Sequence, residues 1–271
     1  MFRQSAWAAT GIACLLATPA LAEDSWSGNV TVASEYISKG VGKSDGEPHA
    51  SITLERGFGA NYAGGWFGNV KTSQGADSEV HLYAGTKRDW AGVGWDARAI
   101  YKTLPGTRDH VQEDHLEFRV DANKTLGANK LRLRVEFAPD SSAATEEAWW
   151  VEGQVSRKLS DKWTAIAGVG LREQNNSADY TAWNAGVRYA VTKAIGVDLR
   201  WFDTDSHRLS DNHDGRLVAS ASFGFEPARA ARLPTGVCGP GSTPRPLPKM
   251  KTSKAVGSET STVSPLSVGA R

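Results

Sequence analysis

Hydrophobic and polar residues alternate along most of this chain with a period of two. The clearest run is Leu217, Ala219, Ala221, Phe223 and Phe225, with Arg216, Ser220, Ser222 and Gly224 on the other set of positions. Successive side chains of a strand point to opposite faces, whereas a helix repeats every 3.6 residues, so this pattern predicts strands. About twelve such segments lie between residues 26 and 225. Their expected apolar faces include Val30, Val32, Ser34 and Tyr36 in the first; Ala50, Ile52 and Leu54 in the second; Tyr62, Gly64 and Trp66 in the third; and Leu116, Phe118, Val120 and Ala122 in the sixth. The links between segments show a second regularity. Short ones fall near 57–60, 89–92, 126–128, 160–162 and 192–193; longer ones fall near 40–47, 70–78, 103–113, 138–147, 173–180 and 203–215. Regular alternation of short and long links predicts a transmembrane antiparallel β-barrel with long outer loops, short periplasmic turns and both ends in the periplasm.

Alternation does not say which face is inside. Three observations favour apolar-out. About eight strands already enclose an interior that side chains just fill, so twelve leave room that Ala and Val cannot occupy. The segments are long enough to cross a bilayer when tilted. Aromatic residues gather at segment ends, as interfacial girdles require: Tyr36, Tyr101, Phe137, Trp149, Trp183 and Trp201 toward the long links, and Tyr62, Trp95, Trp163, Tyr189, Phe223 and Phe225 toward the short ones.

Composition divides the chain into three parts. Arg3, the apolar run Ala6–Leu16 and Ala20-Leu21-Ala22 read as a secretory signal peptide over residues 1–22, cleaved before Glu23. Residues 23–225 hold no cysteine and carry 23 Lys and Arg against 28 Asp and Glu, a net charge of −5 hidden by the whole-chain value of +1. Residues 226–271 are rich in Pro, Ser and Lys/Arg and lack aromatics, which predicts a disordered tail whose deletion leaves folding unharmed. The expected location is the cell outer membrane. The Leu217–Phe225 strand is the expected signal to the outer-membrane assembly machinery, and outer-membrane lipid the expected surroundings.

Several short motifs carry a family likeness. Ser34-Glu35-Tyr36, Lys39-Gly40-Val41, Trp66, Glu79-x-x-x-Tyr83-Ala84-Gly85, and Tyr101 with Pro105-Gly106 make residues 28–225 resemble the bacterial TorF family of porins. The resemblance implies an outer-membrane channel. One departure is Lys39, where the pattern has Arg; it keeps the charge but loses the planar fork that grips a carboxylate bidentately.

The polar faces hold charges of both signs, as expected of a wet lumen that selects ions or small polar solutes. The pore-lining candidates are Arg98, Arg119, Arg132, Arg134, Arg188 and Arg200 on the basic side, with Glu35, Glu79, Glu117 and Glu136 on the acidic side. The expected function is passive diffusion of small hydrophilic solutes or ions. A barrel plugged by its own ion pairs, with a structural role, is the first alternative. The long links carry 14 Asp and Glu against 4 Lys and Arg, so the rim is expected to attract cations. Asp109-His110 with Glu113-Asp114-His115, and the 203–214 segment with its Asp and His residues, have metal-ligand types, but a site needs three or four converging ligands, so no metal is expected. An outer-membrane hydrolase using Ser206-His207 and Asp211-x-His213 is the remote alternative, since neither a nucleophile elbow nor a fixed base–orienter set is visible. No catalytic residue, cofactor or nucleic-acid partner is expected.

Overall fold

The computed structural model describes residues 24–142 and 145–225; the expected signal peptide and the 226–271 tail lie outside the described residues. Among the described residues fourteen strands follow one another: β1 (Asp24–Ala33), β2 (Ile37–Ser38), β3 (Val41–Gly42), β4 (His49–Phe58), β5 (Asn61–Asn69), β6 (Ser78–Trp90), β7 (Val93–Thr103), β8 (Asp114–Leu126), β9 (Asn129–Ser141), β10 (Glu146–Lys158), β11 (Trp163–Gln174), β12 (Tyr180–Ala190), β13 (Ile195–Thr204) and β14 (Arg216–Phe225). Twelve of them form a closed antiparallel barrel in which β1 pairs with both β4 and β14, as expected from the alternation. β2 and β3 form a separate two-stranded hairpin.

Closure comes from the strand that gave the clearest pattern. Val30 lies opposite Phe223 and Val32 opposite Ala221, so the apolar sets of the first and last strands share one face. The apolar face is the outer one: Val32, Leu82, Phe118, Leu133, Val169, Leu199 and Leu217 are all exposed on the barrel's outside. A closed barrel has no open sheet edge, so the backbone groups of paired strands satisfy one another without water. Short turns join strands at one end, three of two residues and two of four. At Ala91-Gly92 both residues have positive φ, +53° and +71°, the mirror-image turn geometry whose twist matches paired strands.

Three expectations need correction. Tyr62, Gly64 and Trp66 face the lumen, while Phe67 is exposed outside. β5 carries aromatics on both parities, so its pattern does not fix the face; its pairing does, because Trp66 lies opposite His81 and Tyr62 opposite Gly85 on the inward face of β6. Tyr36 is not in a girdle either. The chain leaves β1 at Ala33 and turns inward, placing Tyr36 against His49 and Trp66 in the interior. The fourth and fifth long links are also shorter than expected: the strands run on to Ser141 and resume at Glu146, with a register shift before Ala148, and then run to Gln174 and resume at Tyr180. The ladder continues past Pro139 because proline removes only a donor and can sit where the ladder is irregular.

Candidate functional site: the lumen and its hairpin constriction

The segment between β1 and β4 folds into the barrel. Ile37 pairs with Gly42 and Ser38 with Val41, leaving Lys39-Gly40 as the turn. Both turn residues have positive φ, +53° and +83°. Glycine takes that geometry freely; a lysine does so at a cost, which a surrounding structure must offset. Here the offset is electrostatic. The Lys39 ammonium, at the tip of the hairpin, lies 2.6 Å from Glu117 Oε2 on β8 and 2.8 Å from Glu136 Oε2 on β9. The Tyr180 hydroxyl donates to the Lys39 carbonyl at 3.1 Å, so β12 holds the same turn from another side of the barrel. A side chain at Gly40 would run into Ala182 of β12, so the backbone approaches the wall as closely as glycine permits.

The base of the hairpin is also fixed. The buried Ser44 hydroxyl accepts from the Tyr36 amide at 3.0 Å and donates to the Glu47 carbonyl at 2.7 Å. Arg216 of β14 binds Glu35. Tyr36, His49, Trp66 and His81 then form a stacked ladder, with Tyr36–His49 centroids 4.5 Å and Trp66–His81 centroids 4.6 Å apart. Motif residues from three separate stretches thus converge on one constriction.

The hairpin divides the lumen. An inner cavity of about 570 Å³ is lined by Arg98, Arg119, Arg132, Arg134, Arg188 and Arg200, with Glu136 and Glu152. An outer cavity of about 530 Å³, roofed by the loops, is lined by Lys39, Lys43, Lys71, Lys102 and Arg172, with Glu79 as its acid. Ser38 and Lys39 line both, so the hairpin tip sits where the two meet.

All the sequence-predicted lumen residues lie inside, and each is paired. Arg134 forks onto Asp121 at 2.8 and 3.0 Å; Arg119 Nε lies 2.7 Å from Glu136 Oε1; Arg132 reaches Glu152 at 2.8 Å. Arg188 and Arg200 share Asp198 at 3.2 and 2.7 Å, Arg98 pairs with Asp96 at 2.9 Å, and Glu79 binds His81. Register explains the choice of partners. Arg98 stands opposite Arg119 and Asp96 opposite Asp121, so two rows of like charges face each other across β7 and β8. Like charges directly opposite repel, and each side chain therefore turns along its own strand or to the far neighbour. Lys102, 3.0 Å from Glu117, and Arg172 are lumen charges that were not singled out from the sequence, as is Glu152. Strand parity alone signals them, since all lie on inward positions.

The loop chemistry is local. His207 Nε2 lies 2.7 Å from Asp203 Oδ1, and that hydrogen bond raises the imidazole pKa. Ser206 Oγ is 3.0 Å from Asp205, not on His207, and Ser210 Oγ is 2.9 Å from His213 Nδ1 within one tight turn. Among the described residues no group of three or more His, Cys, Asp or Glu is placed to hold a metal ion.

Comparison with known proteins agrees with this architecture. Residues 18–223 match the model of a family described as "Bacterial protein of unknown function (Gcw_chp)", and the chain belongs to that family. No curated protein matches it. Among solved structures the barrel is similar to the KdgM porin, at 7% identity and a TM-score of 0.51, covering 73% of this chain and 99% of that one. It also matches the NanC porin, at 10% identity and a TM-score of 0.46 over 74% and 97% of the two chains. A third match is Omp33 of Acinetobacter baumannii, at 12% identity and a TM-score of 0.45 over 74% and 99%. At such identities the likeness to KdgM shows the fold alone.

Proposed function

We propose that this chain is an outer-membrane channel through which small hydrophilic solutes diffuse, narrowed from within by the 37–42 hairpin. The observation that carries this reading is a closed barrel, apolar outside, whose interior holds two charge-lined cavities meeting at Ser38 and Lys39. A wall with an apolar exterior and paired strands suits hydrocarbon, and a lumen lined by charge suits water and polar solutes. The pore-lining set is Glu35, Glu79, Arg98, Glu117, Arg119, Arg132, Arg134, Glu136, Arg188 and Arg200, to which Lys39 and Lys102 are added. Kinship with the TorF porins, a cleaved signal peptide and delivery by the assembly machinery through the Leu217–Phe225 strand belong to the same reading, and no catalytic step is part of it.

A plugged barrel with a structural role is the second reading, and the Lys39 bridge to Glu117 and Glu136 is what favours it. Planar-bilayer recording of the protein separates the two. Discrete conductance steps from a heat-modifiable, folded barrel are expected; a folded barrel that inserts and stays silent overturns the channel and leaves the plug.

A further inference from the structure

The lumen charges are layered. In the Lys39 bridge the lysine side chain is 14% exposed, and its partners Glu117 and Glu136 are 1% and 3% exposed. Arg132 is 24% exposed over Glu152 at 13%, and Arg188 is 56% exposed over Asp198 at 13%. Arg98–Asp96, Arg119–Glu136, Arg134–Asp121, Lys102–Glu117 and Arg216–Glu35 follow the same order, and Arg200–Asp198 is level. The cause is side-chain length. Asp and Glu hold their carboxylates close to the strand that bears them, whereas Arg and Lys extend their charged heads over them into the water. The water-filled space therefore meets the cations first.

The two larger lumen cavities agree, while a smaller one lined by Glu35, Asp198, Arg188 and Arg200 is balanced. Counting Lys and Arg against Asp and Glu, the outer cavity has five cationic side chains and one acid, and the inner one has seven and two, Lys39 belonging to both. Carboxylates of the acidic loops, such as Asp45 and Glu47, do not line the outer cavity, although their partner Lys71 does. A positive surface enclosed by low-dielectric walls focuses its field along the passage, and guanidinium groups match carboxylate and phosphate geometry.

We infer that the passage selects anions, and that its solutes are small organic anions bearing a carboxylate or phosphate group. This inference rests on the channel reading above. It is contrary to the cation preference that the acidic loops alone predict.

The test is the reversal potential of single channels of the full protein in a KCl gradient, together with swelling of channel-bearing liposomes in glucuronate, glucose and glucosamine. These three solutes have similar size and charges of minus one, zero and plus one at neutral pH. A reversal potential toward that of chloride, and a glucuronate rate several-fold above that of glucosamine, are expected. Arg132→Gln with Arg188→Gln should bring both ratios toward unity while the heat-modified gel shift persists. Arg188→Gln alone, at the most exposed of these guanidinium groups, is the variant least able to disturb folding and should move the ratios part of the way. Steps with cation preference, or ratios that neither variant moves, overturn the anion inference and leave the channel standing. A barrel that inserts without steps overturns the channel itself.

Discussion

The rim and the lumen of this barrel are built from the same four charged residue types and differ in which charge water meets first. At the rim, Lys71 sits between Asp45 and Glu47 in an arrangement where lysine and carboxylates are about equally exposed. At a short turn at the other end, Asp161 is more exposed than its partner Lys158. Inside, the order reverses and the carboxylates lie beneath the cations. Loops are free to point their acids outward, whereas a strand fixes where each side chain begins and leaves only its length to decide how far the charge reaches. The comparison shows that net charge is a poor guide to what a solute meets: depth within the pair matters as much as the number of charges.

The hairpin offers the largest way to break this comparison, because it joins rim to lumen. Replacing residues 37–42 by a short Gly/Ser link removes the Lys39 bridge and merges the two cavities; single-channel conductance should rise several-fold, and unchanged conductance would mean that the passage bypasses the hairpin. Next in size is Glu136→Gln, which takes one carboxylate from Lys39 and Arg119 while keeping the shape. Removing one partner of a well-buried ion pair costs about 3–5 kcal/mol when nothing replaces it, but Glu117 still serves both cations, so a loss of about 2–3 kcal/mol is expected in urea unfolding from lipid vesicles. Neutralising the rim with Asp45→Asn and Glu47→Gln should be visible only at low salt. The screening length is about 30 Å at 0.01 M and about 3 Å at 1 M, so the reversal potential should move toward greater anion preference in dilute KCl and stay put in concentrated KCl. Equal shifts at both salt levels would place these acids in the passage itself.

The smallest expected effect is a pH dependence in the last loop. Hydrogen bonding to Asp203 raises the His207 pKa above its ordinary value near 6.5. A group whose folded pKa is raised stabilises the fold fully below the unfolded value and loses that contribution as pH climbs through the folded one. Amide exchange in residues 203–209 should therefore quicken as pH rises above the ordinary imidazole range, beyond the intrinsic rate change, and His207→Gln should abolish that extra component.

Much of this was legible in the chain. The period-two alternation gave the twelve barrel strands, the facing of all but one, and the closing strand, because a barrel immersed in an apolar medium must segregate its faces residue by residue. It misplaced β5, where Tyr62, Trp66 and Phe67 put large rings on both parities and nothing local could choose between them. It also assigned Tyr36 to a girdle, since a strand that continues and a chain that turns inward read alike until the partner of Glu35 is known to be Arg216, 181 positions away. The Lys39-Gly40 pair stood out in the chain, but its contacts did not: Glu117 lies 78 positions further along and meets it only when β8 closes into the wall.

The sequence by itself determined the architecture: strands, their outward faces and a charged interior, all set by alternation that each segment carries locally. Only the tertiary structure decided how the interior works. Which charges pair depends on the register between strands, how deep each sits depends on side-chain length measured from a curved wall, and the constriction depends on one loop folding across a space that does not exist until the barrel has closed.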